Sequence, residues 1–227
     1  MSDYIERKSW KMAKQQHILE AAYRLFSEYG IAQVSIPEVA EASGVGRATV
    51  FRYFPSKAEL VIEVATWKWA EYFEEYLSSP AAQGVDAMTG AEYMRFYLDA
   101  FLDLYRRHPD ILRFNYELNS FFRHEPEEIR MKLPFGDVAE GLNVRFQDMY
   151  DRGVRDGTVN TDYPERVIFS STYHIMLASA TRYAVGLIYT PEGATTPEAE
   201  LQLLEEMLLR QFTRQPGGKE SSIPLPG

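Results

Sequence analysis

Residues 35–60, from Ser35 to Leu60, read SIPEVAEASGVGRATVFRYFPSKAEL, and this run decides the fold. Ser35 stands three residues before Glu38, and Ser56 three before Glu59. Each pair has the form of a capping box: the hydroxyl accepts a first-turn N–H and the glutamate reaches back to the cap's own N–H. Between them, Gly44-Val45-Gly46 leaves room only for a tight turn. The pattern predicts a short helix, a glycine turn, a second short helix and a third helix launched at Ser56. That is the outline of a helix-turn-helix, whose second helix enters the DNA major groove.

Helical period orients the two short helices. Pro37 falls in the first turn of one, where a missing N–H costs little. Val39 and Ala40 then face inward, Glu38 and Glu41 outward. In the next, Arg47 to Phe54, Val50 and Phe54 turn to the core, which leaves Arg47, Ala48, Thr49, Phe51 and Arg52 outward. Pro55 ends it, since the residue before proline avoids helical angles. Arg47 is the first candidate for a base or phosphate contact, and Thr49 offers a methyl or hydroxyl. Lys57 lies in the first turn of the following helix, where positive charge and exposed N–H groups favour a phosphate. The competing reading of these residues is a surface helix with scattered charges.

Upstream, Ile18, Ala22, Leu25, Phe26 and Tyr29 recur at helical spacing and Gly30 stops the run. This is a support helix. Lys8, Lys11 and Lys14 near its start are either a solvated face or further phosphate contacts, and residues 1–9 read as polar and frayed.

The 227 residues carry a net charge of −9, unevenly spread. Residues 1–58 hold eight Lys/Arg against six Asp/Glu, while 59–227 hold sixteen against twenty-seven. A small basic head on an acidic body suits contact with phosphates at one end only. With no cysteine there is no disulfide framework, thiolate zinc site or thiol nucleophile. No apolar run approaches the ~18 residues of a membrane span. The opening MSDYIERKSWKMAKQQ has no apolar signal core, so a cytoplasmic location is expected.

Residues 12–60 resemble the DNA-binding domain of TetR-family transcriptional regulators. The resemblance is carried by Ser35-Ile36, Val39-Ala40, Ser43-Gly44-Val45 and above all Thr49 to Leu60, TVFRYFPSKAEL, which is similar to the family's Tyr-x-Tyr-Phe-x-x-Lys-x-x-Leu signature. It implies DNA contacts from Ser35, Arg47, Ala48, Thr49, Phe51, Arg52, Tyr53 and Lys57. Phe51 stands where tyrosine is usual, so a phosphate-reaching hydroxyl is missing. Gly46 stands where a serine cap is common; glycine is weaker there by a few tenths of a kcal/mol. More of the phosphate grip then falls to Tyr53, Lys57 and Ser35.

The remainder reads as helices separated by loops, with no strand and no internal repeat: about nine helices in all, an all-α chain. Apolar stripes run from Ser56 to about Tyr76, Ala91 to His108, Ile111 to about Arg123, Phe135 to Gly153, Asp162 to about Tyr189, and Thr196 to Arg214. Ser78 to Gly90 reads as a loop, His124 to Pro134 as a charged loop with room for one helical turn, and 215–227 as a disordered tail. The domain division is 1–58 for the DNA head and 59–214 for a larger body. The resemblance implies that this body binds a small-molecule effector and dimerises, with the helix from Ser56 as the lever between the two. Aromatics are not enriched there; the unusual feature is polarity inside apolar faces, at Asn115, Asn119, Ser171, Thr172 and His174. Candidate effector-binding residues are Tyr97, Phe101, Tyr116, Asn119 and His174; the alternative is that the polar ones are satisfied core or surface groups. The last two helices, with small residues Ala178, Ser179, Ala180 and Gly186, form the candidate homodimer seam.

Catalysis has little to stand on. Glu74-Glu75 and Glu127-Glu128 sit in charged surroundings, and His17, His108, His124 and His174 are scattered. No metal-ligand spacing, nucleophile constellation or phosphate-cradling glycine loop occurs. The expectation is a non-enzyme without cofactor: a repressor released from a palindromic DNA operator when its effector binds. Three alternatives remain open at this point: an effector-independent activator or architectural DNA-binding protein with the same head, an all-α enzyme carrying that head, and a protein-interaction adaptor with a degenerate head.

Overall fold

The computed structural model describes the backbone of residues 2–130, 135–186, 188–189 and 191–214, and the side chains of 12–129, 143–186, 188–189 and 191–214. Within them lie ten α-helices: α1 (Ser2–Tyr29), α2 (Ile36–Ser43), α3 (Arg47–Tyr53), α4 (Lys57–Leu77), α5 (Gly90–Arg107), α6 (Pro109–Phe122), α7 (Glu127–Arg130), α8 (Phe135–Asp156), α9 (Glu165–Val185) and α10 (Pro197–Phe212). The 78–90 connection holds two short 3-10 turns, Pro80–Ala82 and Val85–Ala87. Among the described residues the only β pairing is one bridge between Val159 and Thr213. The chain is all-α, as the sequence indicates. None of the described helices is long and apolar enough to cross a membrane.

Two compact units are present: Met1–Tyr72 with Arg113–Val138, and Phe73–Leu112 with Ala139–Gly227. In the first, α1 already begins at Ser2, so residues 2–9 are helical rather than frayed. Its core joins Ile18, Ala22 and Phe26 of α1 to Ile36 and Val39 of α2, Val50 and Phe54 around α3, and Leu60, Val61 and Val64 of α4. Phe114, Leu118 and Phe122 of α6 complete it. Each of the Val, Leu, Ile and Phe side chains contributes about 1.5–3 kcal/mol when removed from water. Tyr23 meets both Trp67 and Phe114 edge-on, at 6.2 and 5.3 Å between ring centroids. The head therefore keeps α4 as far as Tyr72 and closes on a helix about forty residues downstream.

In the second unit α5, α9 and α10 pack on one another. The buried positions of α9 are Ile168, Thr172, Met176, Ala180 and Ala184, one every fourth residue, and those of α10 are Leu201, Glu205, Leu208, Leu209 and Phe212. The start of α5 is held by residues from its own cap and from the end of α8. Thr89 and Glu92 form a capping box. The Gly90 N–H donates to Asp156 Oδ2 at 2.8 Å and the Ala91 N–H to Thr158 Oγ1 at 3.0 Å. All the first-turn donors of α5 thus find acceptors. The approach is close because both partners are glycine: a Cβ on Gly90 would lie 2.2 Å from Gly153 Cα.

Several boundaries shift. α8 continues to Asp156, and α9 starts at Glu165 behind Pro164 and stops at Gly186, whose φ of 79° is left-handed. The charged stretch holds one turn of helix, α7, and its residues 131–134 lie outside the described residues, as does the tail 215–227.

Candidate nucleic-acid interface

The head positions its outward side chains through backbone chemistry that the sequence specifies locally. At the start of α2, Ser35 donates from its N–H and its hydroxyl to Glu38 Oε2, at 2.7 and 2.6 Å, and its Oγ accepts the Glu38 N–H at 3.4 Å. The Ser35 side chain, then its backbone N–H, hold the Glu38 carboxyl below its usual range. Gly44 ends α2 at φ 67°, a left-handed conformation that a side chain would strain, and the Val45 N–H then donates to Ala40 O at 3.1 Å. Gly46 starts α3 with no side-chain cap. Its carbonyl accepts the N–H groups of Thr49 and Val50 at 2.8 and 3.1 Å. Val50 and Phe54 are sealed in the core, 0% and 2% exposed, which fixes the rotation of α3.

That rotation leaves Arg47, Ala48, Phe51 and Arg52 exposed on one side of α3, with Thr49 half-buried at its edge. Ser35 is exposed as well. Tyr53 is half-buried and packs on the head's core beside Phe54, with the Arg52 guanidinium 5.7 Å from its ring centre. Lys57 has a different environment from the one its position in sequence suggests. Its ammonium donates to Ala32 O at 3.1 Å and lies 5.5 Å from the centre of the Phe121 ring. Burial lowers its pKa, with Glu38 opposing. One of its three donors is thus occupied inside the head. Lys14 is half-buried, and the side chains of Lys8 and Lys11 lie outside the described residues. Two exposed guanidinium groups beside two apolar side chains can donate in bidentate fashion to guanine edges or phosphates and can cover methyl groups in a major groove.

Of the effector-binding candidates in the second unit, Tyr97 and Phe101 are in contact and His174 adjoins their cluster through Tyr173. Tyr97 and Phe101 belong to an aromatic cluster with Phe146, Phe169 and Tyr173, edge-to-face except for the stacked Phe169–Tyr173 pair, at centroid distances of 5.1–6.1 Å. The Tyr97 hydroxyl is buried beside Thr172, and burial pushes its pKa up, with Thr172 opposing. Thr172 is fully buried, but its hydroxyl donates to the Ile168 carbonyl of its own helix at 2.7 Å. His174 is exposed, its ring edge-on to Tyr173. Tyr116 and Asn119 belong to the other unit and are also exposed. The buried residues of α6 are Ile111, Leu112, Phe114, Asn115, Leu118 and Phe122, so Asn115 is its inward polar residue; Tyr116 points away from this face and Asn119 is an exposed residue at its edge. No group of three or more His, Cys, Asp or Glu side chains among the described residues is placed to hold a metal ion.

Residues 18–64 match the model of the family described as bacterial regulatory proteins, tetR family. That match makes the head a tetR-family DNA-binding domain. Over 56 residues the chain is 41% identical to the HTH-type transcriptional regulator AcrR of Shigella flexneri; that match spans 25% of each chain and so speaks for the head alone. The HTH-type transcriptional repressor KstR2 of Rhodococcus jostii is 22% identical over 165 residues, 71% of this chain and 75% of that protein. Among solved structures, the transcriptional regulator FadR from Bacillus subtilis, in complex with stearoyl-CoA, has a TM-score of 0.66 at 17% identity, covering 86% of this chain and 97% of that one. This is a likeness of fold. With this head, the chain is a DNA-binding transcriptional regulator whose helix-turn-helix lies in residues 35–54.

Proposed function

We propose that the protein is a repressor that binds a palindromic operator as a homodimer and leaves it when a small molecule occupies its C-terminal body, residues 59–214. The observation that carries this reading is the outward face of α3: four adjacent exposed side chains, two of them guanidinium groups, on a helix whose rotation is fixed by Val50 and Phe54. The head, residues 1–58 in this functional division, supplies Ser35, Arg47, Ala48, Thr49, Phe51, Arg52, Tyr53 and Lys57 to the DNA. That KstR2 is a repressor by name and FadR was captured with stearoyl-CoA supports an effector-released repressor here. Support for the homodimer comes from α9 and α10, which leave Ile175, Leu203 and Met207 between 40% and 60% exposed, outside their buried stripes. A second copy covers such a face and supplies the second head that a palindrome requires. In the body, the Tyr97–Phe101 aromatic cluster with its buried hydroxyl is the site we assign to the effector. The protein then acts in the cytoplasm, where its DNA is.

Release requires that the effector bind the DNA-incompetent state more tightly; equal affinity for both states shifts nothing. Three helices, α4, α6 and α8, begin in one unit and continue into the other, and in this reading they are the backbone through which the body acts on the head. The test is a mobility shift of the gene's own upstream duplex by the full chain, repeated with substrates of the enzymes encoded beside it. Loss of the shift with one of them is the expected result. A shift that every compound leaves unchanged identifies an effector-independent DNA binder instead.

A further inference from the structure

The outward face of α3 is chemically unusual for a surface that meets a polyanion. Of its four exposed residues, Arg47, Ala48, Phe51 and Arg52, two carry no polar side-chain atom. Phe51 is 46% exposed, and it is absent from the head's core, which takes Val50, Tyr53 and Phe54 instead. It contributes little to folding in that position. Ala48 precedes it by three residues, so the two side chains are neighbours on the helix surface.

A phenyl ring has no favourable partner in a phosphate group, because burying a phosphate oxygen against it removes water and returns no hydrogen bond. In the major groove the apolar feature of a base edge is the thymine C5-methyl group; the other edge groups are donors and acceptors. We propose that Phe51 and Ala48 read thymine methyl groups, so that each operator half-site carries thymine opposite the middle of α3, beside the positions contacted by Arg47 and Arg52. This deepens the DNA-reading function proposed above and rests on it. It also gives Phe51 a role that a tyrosine would compromise, since a phenolic hydroxyl demands a hydrogen-bond partner when desolvated.

The test begins with the full chain and a pool of random-sequence duplexes from which bound sequences are recovered. In the recovered duplex each thymine of a half-site is then replaced in turn by deoxyuridine, which removes only the methyl group. The wild-type chain is expected to lose affinity at one or two positions per half-site by about fourfold, the worth of one buried methyl group. Phe51→Ala, whose side chain lies outside the core and whose circular dichroism should match wild type, is expected to bind the thymine and uracil duplexes equally at its position. Ala48→Gly should do the same at the neighbouring one. Recovered duplexes whose uracil substitution never changes wild-type binding overturn the proposal, as does discrimination that persists undiminished in both variants. If no sequence is recovered at all, the DNA-reading function itself fails and takes this inference with it.

Discussion

Lys57 shows how a residue's place in sequence and its place in the molecule can differ. Its position in the first turn of α4 suggests a phosphate contact. Its ammonium in fact ties α4 to the Ala32 carbonyl and lies against Phe121 of α6. Two donors remain for DNA. Lys57→Ala should therefore lower the melting temperature of the head and also reduce the slope of log affinity against log salt by about 0.9 on any duplex. Fluorescence anisotropy across a salt series separates the two effects: a lower melting temperature with an unchanged slope would leave Lys57 as a strut only. On α6 the buried residues 111, 112, 114, 115, 118 and 122 span a broad face that excludes Tyr116, while Asn119 is exposed at its edge, where spacing alone gives no signal of exposure. On α3 the periodicity was sufficient, because Val50 and Phe54 are the two apolar residues that share an inward side.

Among the elements, the start of α5 carries the most specific local packing. Gly153 has no room for a side chain: a Cβ there would meet Val159 Cγ2 at 2.0 Å. Gly153→Ala should cost about 1–3 kcal/mol through overpacking, a fall of roughly 2–4 °C in melting temperature per kcal/mol for a chain of this size. A thermal melt that matches wild type would contradict the contact. The seam between α5 and α10 has a different character. Glu205, 3% exposed, accepts from Arg95 at 3.3 Å. Asp99, Arg106, Glu206 and Tyr76 complete its charged and titratable surroundings. Burial, reinforced by Asp99 and opposed by Arg95, pushes its carboxyl up from 4.5 to about 7. The folded state then holds this proton more tightly than the unfolded chain. Its contribution is complete below pH about 4.5 and declines as pH rises to about 7. Glu205→Gln should flatten that decline and raise the melting temperature at pH 8; a lower one would mean that the ionised pair with Arg95 stabilises the fold. Half of this architecture was visible beforehand. Thr89 and Glu92 have capping-box spacing, though the helix start was read one residue late. The acceptors from Asp156 and Thr158 lie more than sixty residues away in the chain, beyond the reach of any local pattern.

At the scale of the whole molecule, the head was legible because its caps, glycine turn and signature lie within thirty residues. Its closure by α6 was not, since an amphipathic stripe does not say which core it joins. The boundary placed after residue 58 falls within α4, whose apolar residues as far as Tyr72 belong to the head's unit. Charge follows function more than packing: residues 1–58 are net basic, and the acidic excess lies beyond them. An acidic body disfavours non-specific coating of DNA and leaves the α3 face to provide the contact. The most direct test is an anisotropy titration of the full chain on its own upstream duplex and on a scrambled duplex of equal length. Wild type is expected to prefer the upstream duplex, and Arg47→Ala to lose about tenfold of that preference, the worth of one side-chain-to-base contact. Equal binding of the two duplexes by wild type at every salt concentration would contradict the assignment of α3 as a sequence reader.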